Sequence, residues 1–353
     1  MKHLTILTGV IMLIAAVSNG TAGELPALDG KPKPGIYALT NTCNWVQKDG
    51  KRSNLCETPV DGVTNYVTWR MVRPAEESVR YPGLDRMMRE AVDSGKFLSY
   101  GILAGIHTPD WVYEKAGIPR VVYDTVQNRG GYLPWLETGG RRVLNTPFLE
   151  VWEQTVKEFS ERLHADYVPV TGFPFGNGLE LYIPLGKKEF DALKYDRLSQ
   201  KLYIEFCCRV IDIFLRHFPD MPLGIAYTDW FGADAEGNRR DLTESTAILG
   251  YAVAQAKKNG AVVVPMGLWL GWDGICNNPD HPMMRLFAKS ARTAGFGAWE
   301  GQMGSCERKC LPLAEQIELA RRNRVDWVQF WHHDCICAEC VKTLGAYRKA
   351  VAR

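Results

Sequence analysis

The stretch that organises this chain is Gly295-Phe296-Gly297-Ala298-Trp299-Glu300-Gly301-Gln302-Met303-Gly304. A short apolar run leads directly to one carboxylate, and glycines and polar residues follow it. A buried parallel strand that ends by presenting an acidic side chain has this pattern. Taken alone, the pattern also fits a helix cap or a surface glutamate. The strand interpretation gains weight because seven other segments have a similar pattern, and the segment 168–180 also ends in a glutamate.

The predicted strands alternate with helical segments along the chain. Strands are predicted at 35–40, 62–70, 96–105, 167–173, 222–229, 261–270, 295–300 and 325–331, and helices at 84–92, 148–163, 190–218, 242–258, 283–293, 313–323 and 341–351. Eight short strands separated by helices are typical of a parallel α/β protein. Their number favours a closed (β/α)8 TIM barrel over an open doubly wound sheet. No glycine-rich phosphate fingerprint follows the first strand, which also argues against a dinucleotide fold.

The first residues predict export. A basic start at residues 1–3 precedes an apolar run at 4–17, and small residues follow it. This run is shorter than the roughly 20 apolar residues of a membrane span, so it fits a signal peptide cleaved between Gly20 and Gly23. We expect a signal peptide at 1–23, a single barrel domain at 24–353, and a secreted or periplasmic location without membrane association after cleavage.

Composition narrows the class of partner. The chain of 353 residues is 46% hydrophobic and carries a net charge of +2. A large core is therefore possible, and no basic run interleaved with aromatic residues indicates nucleic-acid binding. Composition does not define the oligomeric state.

Export changes the interpretation of the ten cysteines. In an oxidising compartment, Cys43 and Cys56 on either side of a polar loop predict a disulfide. Cys207 and Cys208 lie in a helical pattern and fit buried thiols. Six late cysteines allow 15 pairings, and we expect most of them to pair near the carboxyl ends of the strands; they are Cys276, Cys306, Cys310, Cys335, Cys337 and Cys340.

Zinc is an alternative role for part of this cluster. The run His332-His333-Asp334-Cys335-Ile336-Cys337 is rich in ligand atoms. It lacks the paired CxxC spacing of structural zinc sites, so no metal site and no organic cofactor are predicted.

Residues that could take part in catalysis or binding occur at the predicted carboxyl ends of the strands, which is the face where the active sites of such barrels lie. They are Trp69 and Arg70, His107, Glu180, Asp229 and Trp230, Trp269 and Trp272, Glu300, and Trp331. Flat indole faces suit stacking on sugar rings, although core packing is the alternative for each Trp alone. Two carboxylates across such a face are what cleavage of a glycosidic bond requires. A structural ion-pair network with Arg70 or Arg73 is the alternative for the carboxylates.

Several short motifs resemble retaining (β/α)8-barrel glycoside hydrolases, the clan of β-galactosidases and cellulase-like endoglycosidases. They are GVTNYVTWR at 62–70, PGLD at 82–85, GK at 95–96 and TPDW at 108–111. The resemblance implies an acid/base glutamate after strand four and a nucleophilic glutamate at strand seven, which by position are Glu180 and Glu300. It further implies that Arg70 contacts the nucleophile and that Trp331 lies beneath the sugar. The other candidate substrate-binding residues are His107, Asn177, Asp229, Trp230, Trp269 and Trp272.

The chain departs from this family at the acid/base residue. The family usually has Asn directly before that Glu, whereas here Leu179 precedes Glu180 and Asn177 lies three residues upstream. The run GNGLELYIP at 176–184 is similar to the acid loop of β-amylase-type barrels, which invert. An inverting hydrolase, a carbohydrate-binding barrel without activity, and a zinc hydrolase that uses the cluster at 332–340 therefore remain alternatives.

Overall fold

The computed structural model describes residues 25, 27–40, 44–46, 52–54, 58–121, 131–183, 191–231, 242–268, 275, 277–300, 311–336 and 338–351. Its strands are β1 Gly35–Leu39, β2 Asn44–Val46, β3 Arg52–Asn54, β4 Gly62–Thr68, β5 Phe97–Leu103, β6 Trp135–Thr138, β7 Arg141–Leu144, β8 Val168–Pro169, β9 Glu180–Ile183, β10 Leu223–Phe231, β11 Val263–Gly267, β12 Ala298–Glu300 and β13 Trp327–Trp331. Its helices are α1 Trp69–Val72, α2 Leu84–Asp93, α3 Asp110–Ala116, α4 Thr146–Ser160, α5 Arg197–His217, α6 Thr243–Asn259, α7 Pro282–Ala294, α8 Leu313–Arg322, α9 His332–Ile336 and α10 Ala338–Val351.

The main sheet is a parallel barrel. Its strands follow the order β5-β4-β1-β13-β12-β11-β10-β8. The two ends of this order meet, because Ser99 of β5 forms a parallel bridge with Tyr167, and the N–H of Asp166 donates to the carbonyl oxygen of Leu98 at 2.8 Å. The predicted (β/α)8 barrel is therefore confirmed.

Successive side chains along each barrel strand point alternately into two hydrophobic cores, one inside the barrel and one between the sheet and the helices. Inside the barrel, toward the amino-terminal ends of the strands, the ring of Trp327 lies 5.0 Å from that of Tyr37 and 4.8 Å from that of Tyr167. Between sheet and helices, Trp299 of β12 packs on Phe287 of α7 at 4.9 Å. This alternation is the period of a strand buried on both faces, which explains why the predicted strands are continuous apolar runs.

The fourth barrel strand is split, which the sequence analysis did not anticipate. β8 pairs with the start of β10 at Leu223 and Gly224, and β9 continues along β10 from Ala226. Residues 171–179 leave the sheet between these two segments, after the N–H of Val170 has donated to the carbonyl oxygen of Gly224 at 2.7 Å. The backbone turns away because Gly172 and Gly178 adopt φ angles of 99° and 78°, which no extended strand has. The prediction of one strand at 167–173 was too simple.

Further elements lie between β5 and α4 in the described part of the chain. They are a 3-10 turn at Gly105–His107, helix α3, and the antiparallel hairpin β6–β7. Within the described ranges no helix is long and apolar enough to cross a membrane.

Candidate active site

The carboxyl ends of the strands lie on one face of the barrel, and most of the predicted site residues lie there. β12 ends at Glu300, β13 ends at the half-buried Trp331, and the turn with His107 follows β5. Asp229 and Trp230 lie near the end of β10. The structure describes only the backbone of Glu300, Asp229 and Trp230, and Trp269 and Trp272 lie outside the described residues.

Trp69 is not a surface aromatic residue at the barrel mouth. β4 ends at Thr68, one residue before it, and the start of α1 directs the indole into the helical layer. There it is fully buried, with ring centroids 4.7 Å from Trp152, 6.0 Å from Phe148 and 6.1 Å from Trp111. Core packing, the alternative kept for each Trp, is therefore what Trp69 does.

The two arginines after β4 differ in their contacts. Arg70 is exposed, and its Nε donates to the carbonyl oxygen of Thr108 at 3.1 Å. Arg73 forms an ion pair with Glu158 at 3.1 Å and lies over the ring of Trp111 at 5.0 Å. Arg73 therefore forms its ion pair in the outer layer of helices. Its partner Glu158 was not predicted for the site.

His107 is half-buried at the end of the turn that follows β5. Burial, together with the positive charge of Arg70, lowers the pKa of His107. The imidazole is therefore neutral around pH 7, and one ring nitrogen can donate a hydrogen bond while the other accepts one.

Glu180 opens β9, and its side chain lies on the barrel side of that strand. Leu181 packs outward into the core between sheet and helices, so its neighbour has the opposite parity. The side chain is partly exposed, but Oε2 is enclosed and has no hydrogen-bond partner in the part of the chain that the structure describes. Oε1 accepts a hydrogen bond from Nδ2 of Asn177 at 3.5 Å.

The environment of Glu180 favours the protonated carboxyl group. Burial raises the pKa of Glu180 to about 7, although hydrogen bonds from its own backbone N–H and from Asn177 lower it. A carboxyl group with such a pKa can give up and take back a proton near neutral pH, which is what a general acid/base requires.

The loop before Glu180 is held by close backbone contact with the turn after β5. The N–H of Ile106 donates to the carbonyl oxygen of Gly176 at 2.8 Å. Gly105 has a φ of 49°, and a Cβ there would lie 2.8 Å from the nitrogen of Gly178 and still closer to the oxygen of Gly176. Only glycine fits this position, because the turn after β5 and the loop before Glu180 are in direct backbone contact.

Replacing Gly105 by alanine should destabilise the protein by about 2–5 kcal/mol, because a left-handed backbone costs about 1–2 kcal/mol and overpacking about 1–3 kcal/mol more. Gly117 is the matched control, since its φ is 60° and nothing lies within 4 Å of a Cβ there. Gly117→Ala should cost only the backbone share, about 1–2 kcal/mol. Urea midpoints with unchanged slopes measure both losses. Equal losses would contradict the close contact.

Two buried aromatic side chains support the same loop, and sequence reasoning missed both roles. The hydroxyl of Tyr132 donates a bifurcated hydrogen bond to the carbonyl oxygens of Gly172 and Phe173, each at 2.9 Å. The indole N–H of Trp152 donates to the carbonyl oxygen of Thr171 at 3.1 Å. Nothing in the local sequence of Tyr132 or Trp152 signals these contacts.

Gln329 is a further residue that sequence reasoning missed. It is the register partner of Glu300 across β12 and β13, it is 1% exposed, and its Oε1 has no hydrogen-bond partner among the described residues. A signal did exist, because Gln329 is a polar residue in the middle of the otherwise apolar run WVQFW at 327–331.

The described residues also line pockets away from the predicted site residues. A cavity of about 280 Å³ lies beneath the barrel around Lys96 and Asp166, and one of about 400 Å³ lies between α3 and α4 around Trp111. Neither includes a residue that was predicted for the site. No group of three or more His, Cys, Asp or Glu residues suited to a metal ion occurs within the described ranges.

The structure describes only some of the cysteines for which pairing was predicted. Cys207 and Cys335 are buried, Cys208 is half-buried, and all three are free thiols. Of the late group, Cys335 thus does not pair, whereas Cys340 is disulfide-bonded. Cys43, Cys56, Cys276, Cys306, Cys310 and Cys337 lie outside the described residues.

Comparison with known proteins identifies the fold. No family model and no curated protein sequence matches this chain. Among solved structures, a β-galactosidase from the psychrophilic Marinomonas ef1 is similar with a TM-score of 0.52 and 10% identity over 90% of this chain and 59% of that one. A cold-adapted β-galactosidase from Rahnella sp. R3 gives 0.51 and 13% over 93% and 58%. A trimodular GH5_4 subfamily endoglucanase gives 0.50 and 10% over 89% and 60%.

The chain is therefore a (β/α)8-barrel protein. Its barrel is similar to those of glycoside hydrolases, which confirms at the level of fold the resemblance found in the sequence motifs. It spans about three fifths of the length of these three chains.

Proposed function

We propose that this protein is a secreted glycoside hydrolase that cleaves O-glycosidic bonds in a poly- or oligosaccharide with retention of configuration. The observation that carries the proposal is Glu180, a carboxyl group with an enclosed Oε2 and a pKa raised to about 7 by burial, in a barrel with the fold of glycoside hydrolases. A group of this kind is protonated when substrate arrives and is basic enough afterwards to accept a proton.

In the proposed reaction Glu180 is the acid/base and Glu300 the nucleophile. Glu180 gives its proton to the glycosidic oxygen while a Glu300 oxygen attacks the anomeric carbon, so that the leaving group departs as an alcohol. The carboxylate of Glu180 then takes a proton from water, whose oxygen replaces Glu300 on the sugar. Both carboxyl groups return to their starting states, and no metal or organic cofactor is required.

The placement of Glu300 along its strand supports the role of nucleophile. It is the last residue of β12, and it has the same parity as Ala298, which belongs to the core inside the barrel. Arg70, on the short helix after β4, is proposed to keep the Glu300 carboxylate ionised through a charge-assisted hydrogen bond.

The remaining residues of the face are proposed to bind the sugar. The neutral imidazole of His107 suits a sugar hydroxyl because it can both donate and accept. Trp331 at the end of β13 is proposed to lie beneath a sugar ring. The other proposed sugar contacts are Asp229 and Trp230 on β10, and Trp269 and Trp272, which follow β11 in the sequence.

Incubation of the purified protein with aryl glycosides and with plant and algal polysaccharides tests the proposal. NMR of the first sugar anomer released should show retention, and a crystal structure should place the two carboxyl groups about 5–5.5 Å apart. The inverted anomer with a gap of about 6.5–9.5 Å would establish inversion instead. Glycan binding without cleavage would establish a binding barrel, and neither binding nor cleavage would overturn the proposal.

Secretion carries its own prediction for the cysteines. In an oxidising compartment Cys43 and Cys56 should be bridged, and closing a loop of this size stabilises a protein by about 3 kcal/mol in the chain-entropy model. Mass spectrometry of peptides from the unreduced secreted protein should find the bridge, with Cys207 as an internal control for a free buried thiol. Recovery of Cys43 as a free thiol would refute the pairing.

A further inference from the structure

We propose that Asn177 is a positioning residue that orients the Glu180 carboxyl group and stabilises its ionised form through a hydrogen bond to Oε1. The inference rests on the proposed function for the transfer itself. It differs from the expectation that Asn177 binds the sugar, because it assigns the carboxamide to the protein's own acid/base group.

The orientation of the Asn177 carboxamide is determined by the backbone. Its Oδ1 accepts a hydrogen bond from the N–H of Leu179 at 3.1 Å. A rotated carboxamide would bring the NH₂ group against that N–H, and two donors would face each other. The NH₂ group must therefore face the other way, and there it lies 3.5 Å from Oε1 of Glu180.

This donor favours the ionised form of the Glu180 carboxyl group. The NH₂ group of Asn177 can only donate, so its hydrogen bond to Oε1 is strongest when Glu180 carries the negative charge. Oε2 is enclosed and has no hydrogen-bond partner among the described residues. Within the described part of the chain, Asn177 is therefore the side chain that stabilises the Glu180 carboxylate by a hydrogen bond.

The loop that carries Asn177 is rigid enough for such a role. The carbonyl oxygen of Gly178 accepts from the N–H groups of Gly172 and Phe173 at 2.9 and 3.0 Å, and Gly105 packs against the same turn. Asn177 thus approaches Glu180 from a fixed backbone, which is what a positioning residue requires.

Few charged groups near Glu180 influence the pKa of its carboxyl group. Within the described part of the chain no charged side chain contributes to the pKa of Glu180. The neighbouring elements carry His107 after β5 and Arg70 in α1, and the other carboxylates proposed for the face are Asp229 and Glu300. A change at Asn177 should therefore register directly in the titration of Glu180.

Two variants separate positioning from a structural role. Asn177→Asp keeps the acceptor for the Leu179 N–H but replaces the donor by a negative charge. Asn177→Ser keeps a shorter acceptor for the turn and cannot reach Glu180. Carbon-13 NMR of the Glu side-chain carboxyl groups, with the Glu180 signal assigned by its loss in Glu180→Gln, reports the titration without any substrate.

The Glu180 carboxyl should titrate about one pH unit or more higher in Asn177→Asp, because a like charge opposes ionisation, and a fraction of a unit higher in Asn177→Ser, because only the donor is lost. Where the protein turns over, the alkaline limb of kcat/KM should move upward in step with the titration. Unchanged titration in both variants, or a raised KM with an unmoved limb, would overturn the inference. A shifted titration in a protein that cleaves no substrate would support the positioning role while refuting the proposed hydrolase activity.

Discussion

Replacing Glu300 by glutamine should lower turnover by about 10⁴-fold or more on every substrate that the parent cleaves, because the proposed mechanism has no second nucleophile to attack the anomeric carbon. The glutamine keeps the size of the side chain, so the fold and the affinity for glycans should be preserved. Steady-state kinetics with a series of aryl glycosides measures the loss.

Glu114→Gln is the matched control for this experiment. Glu114 is an exposed glutamate on α3, and no role in the site is proposed for it. Its variant should keep normal rates. Near-normal turnover in Glu300→Gln would show that the nucleophile is misassigned.

Replacing Glu180 by alanine should have a large effect that depends on the leaving group. A poor leaving group needs the proton, so kcat/KM should fall by about 10²–10⁴-fold, the usual contribution of a general acid. A good leaving group needs little protonation, and its kcat/KM should change far less. Kinetics with aryl glycosides whose phenols differ in pKa separates the two cases.

Added azide supplies an independent readout for Glu180→Ala. The alanine leaves space for a small anion that attacks the glycosyl-enzyme without help from a base, so azide should raise turnover and yield a glycosyl azide. Glu180→Gln leaves no such space and should respond less. A loss that is equal for good and poor leaving groups, without rescue by azide, would contradict the acid/base role.

The order of strands and helices follows from local sequence. Each parallel strand is buried on both faces and therefore appears as a short apolar run, as in residues 325–331, while α2 buries Leu84, Met87, Met88 and Ala91 at helical spacing. These patterns are sufficient for the (β/α)8 class, because the period of the apolar residues differs between the two kinds of element. The same local patterns identified Glu300 at the end of β12, whereas Glu180, predicted at the end of strand four, is the first residue of β9.

The shape of the face around Glu180 depends on contacts between residues that are distant in the sequence. The split of strand four requires Gly105 to pack on Gly176 and Gly178, more than seventy residues later. Trp69 turned out to be a core residue because α4 supplies Trp152 and Phe148 around it. No local pattern carries such information.

By itself, the sequence determined the barrel class, the strand order along the chain and the two candidate carboxylates, because these depend on residue type and spacing. Only the tertiary structure decided that Oε2 of Glu180 is enclosed, that burial raises the pKa of this carboxyl to about 7, and that Asn177 donates to Oε1. The physical reason is that desolvation and hydrogen-bond direction arise from atoms brought together by folding, and a carboxylate in an extended chain has neither.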